Sequence, residues 1–468
     1  MIHRRQFIIT KKYIFLPDFK SFSLDNNYKL FYHKDLNIEC IEDCVVLGYA
    51  FSSIDREISI QGNIEESIRS WAGRWVLITP TELYLDAAGS LGVFYSYEEG
   101  ALILSSSLAL LHALVSDSKW ISNYELKRLE FRYFDFYPAP YTPWSKCMSL
   151  LPSQKVDLVH MKIVNRSDFN FCRYTYMSND ERISNIIKRQ GIILKNIQNR
   201  FSKLYLPLTS GVDSRTILAI ALYHNIDVNL YSIQRLDTDI WDNDVPLLVA
   251  KRLGLPFYLY KEHKICNTNY VVQMIYDHCG GRTTAGTELS QFLNGIDVGD
   301  ANTCVLWGPL WEISIRYYSQ YFSEHADLED ENTILSMLNL ASSNNMFQKS
   351  LIHKMSFEEW IRLVFKNPIL GMTWMDRLYW EQRVGAWAKY SLQMIDLFDS
   401  VRIIPVNCQD LLELLMGFDV CYNTPNGKEA QKDLIKKCVP ELAKIRYGGE
   451  NNFFYWSENI IKKFLRNI

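Results

Sequence analysis

The residues best suited to chemistry lie together in one short turn, T-S-G-V-D-S at 209–214. The turn follows an apolar run of strand length at 204–208 and leads into a segment of helical character at 214–225. The first N–H groups of a helix lack partners within it, and the helix dipole adds partial positive charge there. In an open α/β sheet, ligands bind beyond the carboxyl ends of the strands. The turn is therefore predicted to bind an anion, and we expect the phosphates of a nucleotide.

The residue types in the turn suit this prediction to different degrees. Gly211 would let the backbone approach a phosphate closely, and Thr209, Ser210 and Ser214 would supply hydroxyl donors. Asp213 does not suit an anion site unless it holds a magnesium ion or a backbone turn. The spacing by itself is equally compatible with an ordinary helix N-cap that binds nothing.

The turn belongs to a region where strands and helices alternate. A long segment with apolar residues at helical spacing starts near 179. Strands are expected at 204–208, 227–233 and 255–261, with helices between them. This alternation predicts a parallel sheet with right-handed crossovers. From about 340 onward the chain is expected to be mostly helical.

The first 170 or so residues have a different texture. Short alternating runs, such as R-W-V-L-I at 74–78 and A-L-I-L-S-S-S at 101–107, are separated by turn signals and predict an antiparallel sheet or sandwich. Helices are expected at 108–114, after Asn123 and at 457–468. The predicted fold class is therefore α/β, with a β-rich N-terminal domain before the parallel-sheet domain.

Composition limits the classes of function. The chain has 468 residues, 48% hydrophobic and 22% charged, with a net charge of −3, so we expect a globular protein of two domains. That charge balance does not favour nucleic-acid binding. No apolar run approaches the length of about 18 residues that a membrane span needs, and no signal peptide is recognisable at the N-terminus. Ten scattered cysteines favour reduced thiols in a cytoplasmic protein rather than a zinc site.

The turn resembles the pyrophosphate-binding loop of the ATP-pyrophosphatase families, usually written S-G-G-x-D-S. Within that superfamily the chain resembles the asparagine synthetase family over nearly its whole length. The segments that carry this resemblance are G-R-W-V-L-I at 73–78, D-A-A-G-S-L-G-V-F-Y at 86–95, L-L-P-S at 150–153, Asp242 and Asp244, G-P-L-W-E at 308–312, D-R-L-Y-W-E-Q-R at 376–383, I-P-V-N-C-Q-D-L-L-E-L-L at 404–415 and P-E-L-A-K-I-R-Y-G-G at 440–449.

The resemblance implies two domains. Residues 1–175 would form a glutaminase-like sandwich of the Ntn type. Residues 176–468 would form an ATP-binding domain of the adenine-nucleotide α-hydrolase type with a helical extension. The family's amidotransferases use a cysteine directly after the initiator methionine, whereas this chain begins Met1-Ile2-His3 and its first cysteine is Cys40. We therefore expect no glutaminase activity, as in relatives that close β-lactam rings or cyclise lasso peptides.

A second departure lies at 308–312, where Gly308 and Glu312 are kept but the inner glycines are not. Pro309 has no N–H to offer a phosphate, and Leu310 and Trp311 are expected to crowd a tight loop. Pyrophosphate is then held differently, or the ATP chemistry is weakened.

The chemistry implied by the resemblance is adenylation of a carboxylate by ATP, followed by attack of an amine and loss of AMP. The residues implied to bind ATP are Leu208, Thr209, Ser210, Gly211, Asp213, Ser214, Ser232 and Gly308, and those implied to bind Mg²⁺ are Asp213 and Glu312. Tyr379 would deprotonate the amine with an acid, for which Asp399 is the nearest candidate. Lys444 or Arg446 would stabilise charge in both steps.

Plainer interpretations stay open for these residues. Glu312 could be a surface carboxylate, Tyr379 a helix-core aromatic and Lys444 and Arg446 a solvated helix end. The leading hypothesis is a glutamine-independent, AMP-forming ligase acting on a small molecule or peptide with a carboxylate and an amine. Alternatives are ammonia-dependent amidation, modification of a nucleic-acid base, and a non-catalytic binding or scaffold protein. A homodimer or a partner biosynthetic protein is also expected, without nucleic acid or membrane.

Overall fold

A computed structural model of the chain describes residues 3–24, 27–119, 137–234, 241–261, 295–322, 330–341 and 351–448, without the side chains of 241–243 and 340–341. The helices expected after Asn123 and at 457–468 lie outside these residues. Among the described residues no helix is both long and apolar enough to cross a membrane.

The N-terminal part contains two six-stranded antiparallel sheets. In the order of the first sheet, β10-β8-β9-β1-β3-β2, the strands are Met148–Ser149, Phe94–Glu98, Ala101–Ser105, Phe7–Thr10, Lys29–His33 and Phe19–Ser23. In the order of the second, β12-β11-β7-β6-β5-β4, they are Lys162–Asn165, Gln154–Asp157, Glu82–Leu85, Trp71–Ile78, Cys44–Ser52 and Ile38–Ile41. The predicted antiparallel, β-rich N-terminal region is confirmed.

One apolar core lies between these two sheets. Ile9 and Leu30 from the first sheet share it with Val76 and Leu83 from the second, and all four side chains are buried. Alternate residues of a strand point to opposite faces, so each sheet lends one face to this core. The arrangement is a sandwich in which two sheets pack face to face.

A five-stranded parallel sheet forms the second part of the fold. In its order, β15-β14-β13-β16-β17, the strands are Phe257–Lys261, Asn229–Gln234, Lys203–Pro207, Thr303–Leu306 and Val401–Ile403. Three of them lie within about two residues of the predicted strands, and the predicted parallel sheet is confirmed. The carboxyl ends of parallel strands meet at one edge of a sheet.

Helices pack against both parts of the fold. The described α-helices are Ile64–Ile68, Leu108–His112, Asn179–Arg200, Val212–Tyr223, Trp241–Leu253, Ser319–Phe322, Glu331–Ala341, Leu351–Lys366, Trp374–Arg377, Lys389–Ile395, Gln409–Met416, Glu429–Cys438 and Pro440–Ala443. A 3₁₀-helix spans Trp311–Ile315 and a π-helix spans Leu378–Ala388. The helix Asn179–Arg200 starts with a capping box, in which Ser178 and Glu181 each bond the other's backbone.

Buried ion pairs connect the sandwich to the helical region after 389. Arg74 on the second sheet donates to both carboxylate oxygens of Asp396, at 2.5 and 2.8 Å. Arg69 donates to both oxygens of Glu413, at 3.0 and 2.5 Å. Such bidentate pairs fix orientation as well as distance. They therefore hold the sandwich and this helical region in a fixed relative orientation.

Candidate functional site

The predicted anion-binding turn lies at the carboxyl edge of the parallel sheet. The strand β13 ends at Pro207, and the helix Val212–Tyr223 begins after Gly211, which makes no side-chain cap hydrogen bond. Leu208 is tied to the neighbouring strand twice, because its N–H donates to Tyr231 at 2.8 Å and its carbonyl accepts from Ser232 Oγ at 2.5 Å. The structure therefore brings Leu208 and Ser232 together at the base of the turn.

The hydroxyl groups of the turn shape the turn itself. Thr209 N–H donates to Ser214 Oγ at 3.2 Å, and the two hydroxyl oxygens are 3.1 Å apart. Gly211 N–H donates to Thr209 Oγ1 at 3.3 Å. These bonds hold the backbone in a tight arc across the helix N-terminus, where the helix dipole is positive.

A late segment of the chain supports the turn from outside. Arg215 donates to the carbonyl oxygens of Ser210, Ile445 and Arg446, at 3.1, 2.7 and 2.5 Å. Gly448 N–H donates to Ser210 O at 2.9 Å. A Cβ on Gly448 would collide with the Ser210 hydroxyl and lie 2.6 Å from Ser210 Cβ, so only glycine fits without moving the turn.

Asp213 is the most unusual group in the turn. Its Oδ1 is enclosed and has no hydrogen-bond partner among the described residues. Burial is the main cause that raises the pKa of Asp213 to about 7, the nearby Glu312 carboxylate raises it further, and Lys428 opposes the shift. A carboxyl group with a pKa of about 7 can exchange its proton for a cation at neutral pH.

The loop after β16 brings Glu312 to this corner. Gly308 lies against the turn, since a Cβ placed on it would be 3.7 Å from Asp213 Cβ. Leu310 takes a left-handed φ of 83°, which is rare for a bulky residue and indicates a strained turn. The expected crowding of the loop does not occur, because the side chains of Leu310 and Trp311 leave the loop and are fully buried in the main hydrophobic core.

Tyr379 faces the same corner from the π-helix. It is buried, its ring centroid is 5.6 Å from that of Tyr317, and its hydroxyl bonds to the backbone of Leu310. Burial raises its pKa well above the ordinary value and Glu312 adds to the shift, while Arg383 acts in the opposite direction. The acids near Tyr379 are therefore Glu312 and Asp213.

Two predicted residues lie away from this corner. Asp399 precedes the amino end of β17, at the opposite edge of the sheet, where it is exposed and pairs with Arg4 at 2.9 Å. Lys444 is 63% exposed and pairs with Glu441 at 2.5 Å. Arg446 touches the corner through its carbonyl oxygen, which accepts from Arg215. The structure thus does not bring Asp399 and Lys444 together with the turn.

Sequence reasoning missed two charged residues of the site. Lys428 adopts a left-handed φ of 53° just before the helix Glu429–Cys438, and no local pattern reveals that its charge lies near Asp213. Arg383 stands 3.8 Å from Glu312. It occurs in the segment D-R-L-Y-W-E-Q-R, four residues after Tyr379, so helical spacing could have indicated it.

The residues present fit a magnesium ion held with phosphates. Within the described residues no group of three or more His, Cys, Asp or Glu side chains could hold a metal ion alone. Mg²⁺ is commonly bound by one or two carboxylates together with substrate phosphates and water. Asp213, with its unpartnered Oδ1, and Glu312 supply that number of carboxylates.

Comparisons with known proteins add little. No protein-family model matches the chain, and no curated protein matches it. Among solved structures, a glutamine-dependent NAD+ synthetase from Acinetobacter baumannii in complex with ADP is similar at 19% identity and a TM-score of 0.19. The similarity covers 30% of this chain and 26% of that one. A likeness of this extent supports no inference about function.

Proposed function

We propose that the protein is an ATP-dependent ligase that adenylates a substrate carboxylate and joins it to an amine supplied by a source other than glutamine. The supporting observation is the position of the Asp213 carboxyl, whose Oδ1 is enclosed, at a helix N-terminus on the carboxyl edge of the parallel sheet and near Glu312 and Lys428. This combination of backbone donors, paired acids and a cation suits a nucleotide triphosphate with its magnesium ion.

In the proposed reaction a carboxylate oxygen attacks the α-phosphorus of ATP, and the bond to the β-phosphate breaks with release of pyrophosphate. An amine then attacks the acyl carbon, and AMP leaves. Asp213 and Glu312 would hold Mg²⁺, which would neutralise charge on the phosphates. Lys428 would offset the charge of the two carboxylates, and the 209–214 turn would fix the phosphate chain with its N–H groups.

Tyr379 has a more limited role in this proposal than the sequence implied. A buried phenol with a raised pKa keeps its proton, so it does not serve as a base in the resting site. It would act as a hydrogen-bond donor beside Glu312, and the proton that the amine loses would pass to the phosphate of the departing AMP. Asp399 would take no part in the reaction.

The two parts of the chain would have different roles. Residues 1–175 would be a glutaminase-like domain without its catalytic cysteine, and residues 176–468 the ATP-binding domain of the asparagine synthetase type. Because the amine does not come from glutamine, the substrate would be a small molecule or peptide with its own amine, or ammonia would serve. A homodimer or a partner biosynthetic protein remains a prediction.

The test is the thermal midpoint with and without saturating Mg–ATP. A ligand at about 100 times its dissociation constant stabilises the folded state by roughly 2.7 kcal/mol. We expect a rise in the midpoint for the wild type and little rise for Asp213→Ala. Asp227→Ala is the matched control, because Asp227 is exposed and precedes the amino end of β14 at the far edge of the sheet. Equal shifts in both variants would place the nucleotide elsewhere.

A further inference from the structure

An aromatic surface with a guanidinium group at its centre lies beside the nucleotide corner. We call it the aromatic wall: Trp307, Tyr317 and Trp387 with Arg383. The Arg383 guanidinium is 4.7 Å from the Tyr317 ring centroid and 5.6 Å from that of Trp387. The rings of Trp387 and Trp307 are 5.5 Å apart. All four side chains are partly exposed.

Three separate segments build the wall at the carboxyl edge of the sheet. Trp307 directly follows β16, and its N–H donates to Ile403 O at 2.8 Å. Tyr317 follows the 3₁₀-helix that carries Glu312. Tyr379, Arg383 and Trp387 recur every four residues on the π-helix, which places them along one face. The wall is therefore continuous with the corner that holds Glu312 and Tyr379.

Arg383 differs from the buried arginines that hold the fold together. Arg74 and Arg377 donate to carboxylate oxygens at 2.5 to 2.8 Å. Arg383 Nε is 3.8 Å from Glu312 Oε2, which is longer than a hydrogen bond. Arg383 also hydrogen-bonds the hydroxyl of the buried Tyr318. A guanidinium has five N–H donors, so Arg383 keeps donors for a further anion while the two flanking rings fix its plane.

We propose that the aromatic wall binds the acid substrate: Arg383 receives a carboxylate, and the rings of Trp387 and Trp307 receive a planar aromatic group attached to it. A guanidinium in a fixed plane matches a carboxylate bidentately. The exposed part of an aromatic ring accepts a further ring edge to face or in an offset stack, with ring centroids about 4.5 to 7 Å apart. The substrate class is thus a small carboxylic acid bearing an aromatic group. The role of this acid as a substrate for ligation rests on the proposed function, whereas its binding to the aromatic wall does not.

The test is the affinity of 3-phenylpropanoate measured by calorimetry, with and without the Mg²⁺ complex of an ATP analogue whose α,β-bridge is methylene. The aliphatic acid 3-cyclohexylpropanoate is the matched ligand. We expect Arg383→Lys to weaken binding of 3-phenylpropanoate by about tenfold or more, because lysine keeps the positive charge but lacks the two parallel N–H donors of the guanidinium. Trp387→Leu should weaken it by about three- to tenfold and affect the aliphatic acid less.

Arg362→Lys serves as the matched control, because Arg362 is 62% exposed and pairs with Glu359 on the helix Leu351–Lys366. Equal affinity in Arg383→Lys and Arg362→Lys, or no binding of 3-phenylpropanoate to the wild type, would overturn the aromatic wall as a substrate site. Binding of the acid by the wall without any binding of the nucleotide analogue would leave the site standing and overturn the ligase function instead.

Discussion

Replacement of Asp213 by asparagine should have opposite effects on the empty and the nucleotide-bound protein. Asparagine has nearly the same shape as aspartic acid, but its side chain cannot ionise. In the folded wild type, burial and Glu312 raise the pKa of Asp213 to about 7, against an ordinary value of 3.8. Ionisation of this carboxyl in the folded protein therefore lowers the free energy of unfolding of the wild type. Asp213→Asn does not undergo this ionisation and should keep the higher value.

The sign and the pH window follow from linkage. Below pH 3.8 the carboxyl is protonated in both the folded and the unfolded chain, and Asp213→Asn gains nothing. Between pH 3.8 and about 7 the unfolded chain binds fewer protons than the folded one, so wild-type stability falls as pH rises. Each unit of difference in pKa between the folded and the unfolded chain corresponds to about 1.4 kcal/mol. The destabilisation caused by ionising Asp213 is therefore at most about 4 kcal/mol. Partial exposure of Asp213 lowers this to about 1 to 2 kcal/mol.

The assay is thermal unfolding of wild type and Asp213→Asn at pH 5 and pH 8. We expect the variant to unfold a few degrees higher at pH 8, since about 1 kcal/mol moves the midpoint of a large chain by roughly 1 to 3 °C. The gain should shrink towards pH 5. With Mg–ATP the order should reverse, because asparagine is a poor magnesium ligand. An unchanged midpoint at pH 8 would show that Asp213 is not enclosed beside Glu312, and the reasoning would fail.

Two further substitutions test the supports of the site. Gly448→Ala should cost about 1 to 3 kcal/mol of stability, because the new methyl group collides with Ser210. It should also reduce the rise in the thermal midpoint caused by Mg–ATP. An unaltered rise would show that the turn can move aside without losing the nucleotide. Glu413→Gln should cost about 1.5 to 3 kcal/mol in urea unfolding, because Arg69 loses its bidentate partner and keeps only Asp410, at 3.0 Å, as a buried carboxylate partner. Glu66→Gln, which removes an exposed partner of Arg69 at 3.6 Å, should cost under about 0.5 kcal/mol. Equal losses in these two variants would contradict the assignment of the ion pairs.

Local patterns are sufficient for much of the fold. The alternating runs at 74–78 and 101–107 lie within strands β6 and β9 or extend just beyond them, and the apolar run at 204–208 covers most of β13. The turn that follows it begins a helix, as its residue types indicate. These features depend on neighbours in the chain, because hydrophobic spacing and turn chemistry act over a few residues.

The site itself depends on contacts that the sequence does not contain. Lys428 lies more than two hundred positions from Asp213, and only the folded chain brings them together. Position along the chain points to Asp399 as the acid for Tyr379, yet Asp399 precedes β17 and so lies at the wrong edge of the sheet for that role. The sequence also predicts that Leu310 and Trp311 crowd the loop, but Leu310 has a left-handed φ and both side chains are buried in the core.

The most direct test of the nucleotide site is hydrogen–deuterium exchange with and without saturating Mg–ATP. We predict that amides at 209–214 and 308–312 exchange at least about tenfold more slowly with the nucleotide, because bound phosphates would accept from N–H groups of the turn. Amides around Asp227, at the far edge of the sheet, should not change. Unchanged exchange at 209–214, or protection confined to other segments, would contradict the assignment of this corner to ATP.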